Sequence, residues 1–329
     1  MNIKLLLLFV LTSSLGFSQV THKRELTMLG SPFEMIVVAD DILQANIYID
    51  IALAEVSRLE NLISDWIPTT PISEVNRNAG IKAVIVPQEV FDLVQRSITV
   101  SKLTSGAFDI TYASMDKIWK FDGSMKKMPS EEEIRNSVAK VGYQNIVLNP
   151  KDHSIFLKNE GMKLGLGGIG QGFIADKIKA LLIAKGAPAG IVNISGDINT
   201  WGKQIDGKQW KVGIKNPLNK DKIFATFPLE NSAVETSGSY EKYVTFNGVR
   251  YSHIIDTRTG YPASGVISVS VFATSTELAD ALATGIFVLG VDIGINLIDQ
   301  LPGVGCIYVE DNGKITASKN IDLKKYSNE

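Results

Sequence analysis

The chain has 329 residues, with 33 Lys and Arg against 35 Asp and Glu, for a net charge of −2. It carries no Lys/Arg run or basic stripe, which excludes nucleic acid as an expected partner. Its 45% hydrophobic content suffices for one large core. The single cysteine, Cys306, cannot form an internal disulfide.

Residues 1–18, MNIKLLLLFVLTSSLGFS, have the layout of a secretory leader. Lys4 precedes an apolar run from Leu5 to Leu11, and the small residues Gly16 and Ser18 stand before a cut ahead of Gln19. The apolar run is too short to span a bilayer. The expectation is therefore an exported, periplasmic protein, soluble after cleavage, with residues 19–329 as one catalytic unit. A monomer or weak oligomer is expected.

Phe33 to Val38 alternates like a half-buried strand, and Asp41 to Ser64 carries apolar residues at helical spacing. A loop rich in Pro68, Pro71, Asn76, Asn78 and Gly80 follows. Pro87 opens a second helix that Gly106 stops, and Ser130 with Glu133 makes a capping box for a third. NIVLN and SIFLK read as a strand pair, and a glycine-rich turn leads into a helix from about Phe173 to Lys185. Six β-like runs come next, AGIVNI, WKVGI, KIFATFPL, KYVTFN, VRYSHIID and VISVSVF, and Thr274 with Glu277 predicts a capping box on a helix reaching Leu289. Strands outnumber helices, and hairpin-length turns such as Asn247–Gly248 join several of them. The fold class is thus α+β, with largely antiparallel sheets and flanking helices.

Four segments carry candidate chemistry. In KLGLGGIGQGFIAD, Gly165, Gly167 and Gly170 satisfy GxGxxG between a strand and a helix. Such a turn exposes backbone groups to a ligand beside an anion-favouring helix N-terminus. It equally suits tight packing, and the antiparallel flanks argue against a dinucleotide-binding βαβ unit. In STELADALATG, Asp280 and Thr284 share a helix face and offer hard oxygens suited to magnesium or calcium; alternatively both serve their own helix. His253 precedes a polar turn containing Asp256 and Arg258 and is placed mid-strand. It is a candidate general base, with Asp256 as its orienting partner, or else a strand histidine bonded to a neighbouring carbonyl. In LTSGAFDIT, Phe108 could stack on a flat ring and Asp109 accept its N–H groups, unless Phe108 is core.

Read together and in order, LGSPFE, SGAFD, GLGGIGQG, NISGD, TSGSY, HIIDTRTGYP and ADALAT resemble the ApbE family, the FAD:protein FMN transferases, over nearly all of the chain after the leader. The resemblance implies an ApbE-like, T-fold-related unit that binds FAD beside a magnesium ion. The implied metal ligands are the Gly168 carbonyl, Asp280 and Thr284. The implied flavin and nucleotide contacts are Leu29, Trp66, Asn76, Ala107, Phe108, Asp109, Gly165, Gln171, His253 and Ile254. The implied reaction transfers FMN from FAD to a Ser or Thr hydroxyl of an exported or membrane-bound acceptor protein and releases AMP, with His253 and Asp280 catalytic. A periplasmic FAD pyrophosphatase, a flavin carrier without turnover and, from GxGxxG alone, a nicotinamide-dependent dehydrogenase are the competing readings. Two departures from the family pattern fall in the site: Gly165 stands where the family has an acid, and Gln171 where it has Lys.

Overall fold

A computed structural model describes residues 19–239 and 242–326. The leader read over 1–18 lies outside the described residues, as does Tyr240 of TSGSY.

The chain starts with a hairpin of β1 (Val20–Met28) and β2 (Ser31–Ala39), followed by α1 (Ile42–Ile63), α2 (Pro71–Arg77), β3 (Val84–Ile85) and α3 (Gln88–Leu103). Asp41 caps α1 by accepting from the Gln44 N–H. A 3-10 turn over Ile110–Ser114 precedes α4 (Glu131–Ser137), β4 (Ile146–Asn149), β5 (Ser154–Leu157) and α5 (Gly170–Ala184). Next are β6 (Ala189–Ile194), β7 (Asp197–Trp201), β8 (Trp210–Asn216), β9 (Asn219–Leu229), β10 (Ala233–Gly238), β11 (Tyr243–Phe246), β12 (Val249–Ser252) and β13 (Val266–Ala273). The chain ends through α6 (Thr276–Leu289), α7 (Val291–Ile298), β14 (Gly305–Glu310), β15 (Ile315–Ala317) and α8 (Leu323–Tyr326).

The main sheet has eight strands in the order β1-β2-β6-β7-β10-β13-β14-β15, and its pairings are antiparallel. This is the expected α+β class, and it removes the parallel βαβ frame that a GxGxxG dinucleotide fold requires. Alternation along the strands separates two faces. Phe33, Met35 and Val37 of β2, Val269 and Val271 of β13, and Cys306 and Tyr308 of β14 point into the principal core with α1, α5 and α6. On the other face, Val212, Ile214, Phe227 and Leu229 of the β8–β9 ribbon cover Val234 and Ile307, and Trp210 covers Val38 and Ile191. The layers are therefore helices, sheet and ribbon.

Strand β1, a polar edge strand whose Lys23, Arg24 and Glu25 suit an exposed margin, lacks the alternation that marks β2 in the sequence. Three local readings are corrected. The Pro- and Asn-rich loop contains α2, which Thr70 caps by accepting from the Ser73 N–H, with Pro71 in its first turn. The cap of α6 is Ser275 rather than Thr274, because Ser275 accepts from the Leu278 N–H. His253 follows the last residue of β12 instead of lying mid-strand.

Candidate active site

The site is built where the N-terminal turns of α5 and α6 cross. A Cβ on Gly172 of α5 would lie 2.7 Å from the Thr276 carbonyl carbon and 2.8 Å from the Glu277 nitrogen, so only glycine permits this approach. Asp176, one turn further along α5, braces the start of α6 by accepting from Ser275 Oγ at 2.7 Å, the Thr276 N–H at 2.9 Å and the Glu277 N–H at 3.0 Å. Glu277 in turn holds Arg96 of α3 through a two-point contact at 2.5 and 2.9 Å.

This brace fixes Asp280 and Thr284, which lie on one face of α6. Asp280 is almost wholly buried and accepts from the Gly172 N–H at 3.2 Å. Gly168 stands opposite Thr284: a Cβ there would be 3.0 Å from Thr284 Oγ1 and 3.6 Å from the Phe108 ring. The structure thus brings Gly168, Asp280 and Thr284 together from two distant segments.

Two further acids join Asp280. Asp197 at the start of β7 and Glu235 in β10 are buried, and one carboxyl oxygen from each of the three lies within 4.8 Å of the others. Asp197 Oδ1 and Glu235 Oε2 have no hydrogen-bond partner among the described residues, and neither has the buried hydroxyl of Thr276, one turn before Asp280 on α6. Burial pushes the Asp280 carboxyl up to about 8, against the lowering effect of the Gly172 N–H. Burial, then the negative charge of Asp280, raises Glu235 and Asp197 well above the ordinary carboxylate range. Three such groups need protons or a cation between them. A compact set of hard oxygens with unpartnered atoms fits Mg²⁺ or Ca²⁺. Asp197 and Glu235 were not singled out from the sequence. Asp197 closes the NISGD motif and Glu235 immediately precedes TSGSY, and no spacing within either segment links them to Asp280.

A cavity of about 390 Å³ opens on the glycine turn next to Gly168, lined by Leu29, Asp65, Trp66, Gly167 and Gln171 among others. Leu29 and Gly30 form the two-residue turn of the β1–β2 hairpin with φ of 55° and 68°. A leucine in that region is strained, and here the strain sits at a ligand-sized cavity. Trp66 is 81% exposed, with Lys117 Nζ 5.3 Å above its ring, so one aromatic face is open for stacking. Gln171 lies in the first turn of α5, where no side chain caps the helix and the dipole favours an anion. A second cavity of about 560 Å³, near Phe272, Leu301 and Ile321, is lined by none of the residues singled out above.

Other sequence-derived candidates act through the protein frame. The Asn76 amide donates to the Leu164 carbonyl at 2.9 Å and accepts from the Leu164 N–H at 2.7 Å, fixing the extended segment that enters the glycine turn. Gly165 is enclosed: a Cβ would lie 2.9 Å from Ala113 Cβ and 3.1 Å from the Tyr112 ring, so the family acid has no room there. Ala107 and Phe108 are buried, the latter in the principal core. Asp109 accepts from Thr111 through one oxygen and from the Tyr143 N–H through the other, at 2.7 to 2.8 Å. Its carboxylate is therefore occupied by the loop it organises.

The HIIDTRTGYP turn docks on the SGAFD loop, with Thr257 Oγ1 donating to the Gly106 carbonyl at 2.7 Å. His253 Nδ1 lies 3.2 Å from the Lys242 carbonyl, a pairing that leaves Nε2 as an acceptor. Burial lowers its pKa, so the imidazole is neutral at pH 7. Asp256, expected as its orienting partner, instead grips Arg258 through two 2.8 Å bonds. Ile254 is half-buried against the principal core.

The sequence profile described as the ApbE family matches residues 29–308. The FAD:protein FMN transferase of Treponema pallidum is 32% identical over 265 residues, covering 76% of this chain and 73% of that protein. The protein of the same description from Klebsiella pneumoniae is 29% identical over 265 residues, covering 80% and 82%. Among solved structures, the ApbE protein of Thermotoga maritima superposes with a TM-score of 0.83 at 28% identity, covering 94% of this chain and 100% of its own. The flavinyl transferase ApbE of Pseudomonas stutzeri gives 0.81 at 26% identity, covering 92% and 96%.

Proposed function

The chain belongs to the ApbE family, and from that premise we propose that it is an FAD:protein FMN transferase which moves FMN onto a Ser or Thr hydroxyl of an acceptor protein. The observation that carries the reading is the meeting of Gly168, Asp280 and Thr284, with two unpartnered buried carboxyl oxygens near Asp280 and a cavity lined by Leu29, Trp66 and Gln171 on the same glycine turn.

Asp280, Thr284 and the Gly168 carbonyl would hold a magnesium ion, with Asp197 and Glu235 contributing negative charge behind it. When bound, that ion neutralises charge on the pyrophosphate of FAD. The uncapped N-terminus of α5 favours the same phosphates. Trp66 offers its open face to a flat ring. His253 Nε2 takes the acceptor hydroxyl proton as the oxygen forms a bond to the FMN-side phosphorus. The bond from that phosphorus to the bridging oxygen breaks, and AMP leaves with the oxygen and its electron pair. The leader-like residues 1–18 support action outside the cytoplasm, on an exported or membrane-bound acceptor.

The test is incubation of the purified protein with FAD, MgCl₂ and a flavin-acceptor domain. In-gel flavin fluorescence on the acceptor is expected, and it disappears with excess EDTA. FMN and AMP formed from FAD at the same rate without acceptor would identify a pyrophosphatase instead.

A further inference from the structure

One side chain at the site was not singled out from the sequence. Tyr112 lies in the 3-10 turn over Ile110–Ser114 and fills the space that the glycine turn leaves open. A Cβ on Gly165 would meet its ring at 3.1 Å, and a Cβ on Gly167 would meet its hydroxyl at 2.8 Å. Both ends of the 3-10 turn are fastened to the segment entering the glycine turn. The Gly165 N–H donates to the Ile110 carbonyl at 2.8 Å, and the Lys163 N–H donates to Ser114 Oγ at 2.7 Å while Ser114 Oγ donates to the Lys163 carbonyl at 3.1 Å. The phenol is therefore held in place before any ligand arrives.

Its surroundings select how it acts. The Gly167 backbone lies against the phenol oxygen. None of the described residues takes the phenol proton. Burial keeps the phenol protonated, and so a donor. Tyr112 remains 37% exposed and sits against Gly167, which lines the cavity of about 390 Å³. A preorganised donor beside a helix N-terminus suits an anionic oxygen.

Resting on the transferase reading, we infer that Tyr112 is a substrate-contacting residue whose phenol donates a hydrogen bond to a pyrophosphate oxygen of the bound dinucleotide. Gly165 is the enabling partner, since any side chain there would displace the ring. At this spot the chain has a donor where the family pattern has an acid.

The experiment compares wild type with Tyr112→Phe, which keeps the ring and removes only the hydroxyl. Binding of FAD, ADP and riboflavin is measured by calorimetry in MgCl₂, with thermal midpoints recorded to establish that both proteins fold. The expected result is about tenfold weaker binding of FAD and ADP, with riboflavin, which has no phosphate, unchanged. FAD affinity within twofold of wild type overturns the inference, and so does an equal loss for FAD and riboflavin, which a packing role would give. Wild type that binds neither FAD nor ADP overturns the transferase reading and this inference with it, whereas wild-type binding with an unaffected variant overturns this inference alone.

Discussion

Asp280 sits within reach of Asp197 and Glu235 with its carboxyl pushed up to about 8, a cost that folding bears only because α6 and the strands bury all three acids together. The sign of the pH dependence follows. The metal-free folded state holds a proton on Asp280 that the unfolded chain, with an ordinary carboxyl near 3.8, releases earlier. Metal-free stability should therefore fall as pH rises from about 4 to 8 through this group. Millimolar Mg²⁺ should reverse the fall, raising the thermal midpoint more at pH 8 than at pH 5. A midpoint in EDTA that is flat or rising across that range would contradict the assignment. Asp280→Asn should abolish both the Mg²⁺ effect and turnover while leaving a folded protein, as judged by circular dichroism. His253 behaves oppositely in charge. Burial lowers its pKa, so the neutral base persists below pH 6.5, and the acid limb of kcat/KM for transfer should fall there. His253→Ala should reduce transfer about a hundredfold or more, measured by flavin fluorescence on the acceptor.

At the scale of elements, the crossing of α5 and α6 aligns the glycine turn with Asp280, and Gly172 is its tightest point. Gly172→Ala would force the helices apart against a packed core, so we expect a loss of about 2–3 kcal/mol in chemical denaturation and a larger proportional loss of Mg²⁺ affinity. A variant as stable as wild type would show that the crossing has slack. The crossing also marks where reading the sequence stops. The long helix after Asp41, the capping box at Ser130 and the Asn247–Gly248 hairpin were legible because each is decided within a few neighbouring residues. The first strand was not, since an edge strand bearing Lys23, Arg24 and Glu25 lacks the apolar alternation that marks a half-buried one. Helix α2 was hidden by prolines and asparagines that read as loop, although Thr70 followed by Pro71 is a start signal. The meeting of Asp197 and Glu235 with Asp280, and the filling of the Gly165 space by Tyr112, depend on strand order and loop docking, which no local pattern encodes.

For the whole molecule, the main sheet decides how the parts share stability. Its edge strand β1 begins at Val20 and its other edge, β15, ends at Ala317, so the sheet gathers segments from nearly the full length of residues 19–329. The principal core likewise draws on residues from Phe33 to Tyr308, and the motif loops dock on one another through Thr257 and Gly106. A cut between β2 and β6 or between β10 and β13 splits a paired strand couple, and a cut between β7 and β10 splits that pair and parts α5 from α6. Residues 19–329 should therefore unfold in one calorimetric transition, and limited proteolysis should yield no pair of stable halves. The proposed metal site sharpens the expectation, since Gly168 and Asp280 lie more than a hundred residues apart in sequence and belong to the turn before α5 and to α6. Mg²⁺ should move that single transition upward as a unit. Two separable transitions, of which only one responds to Mg²⁺, would mean that the acid cluster belongs to an independently folding part and that the 19–329 unit is divided.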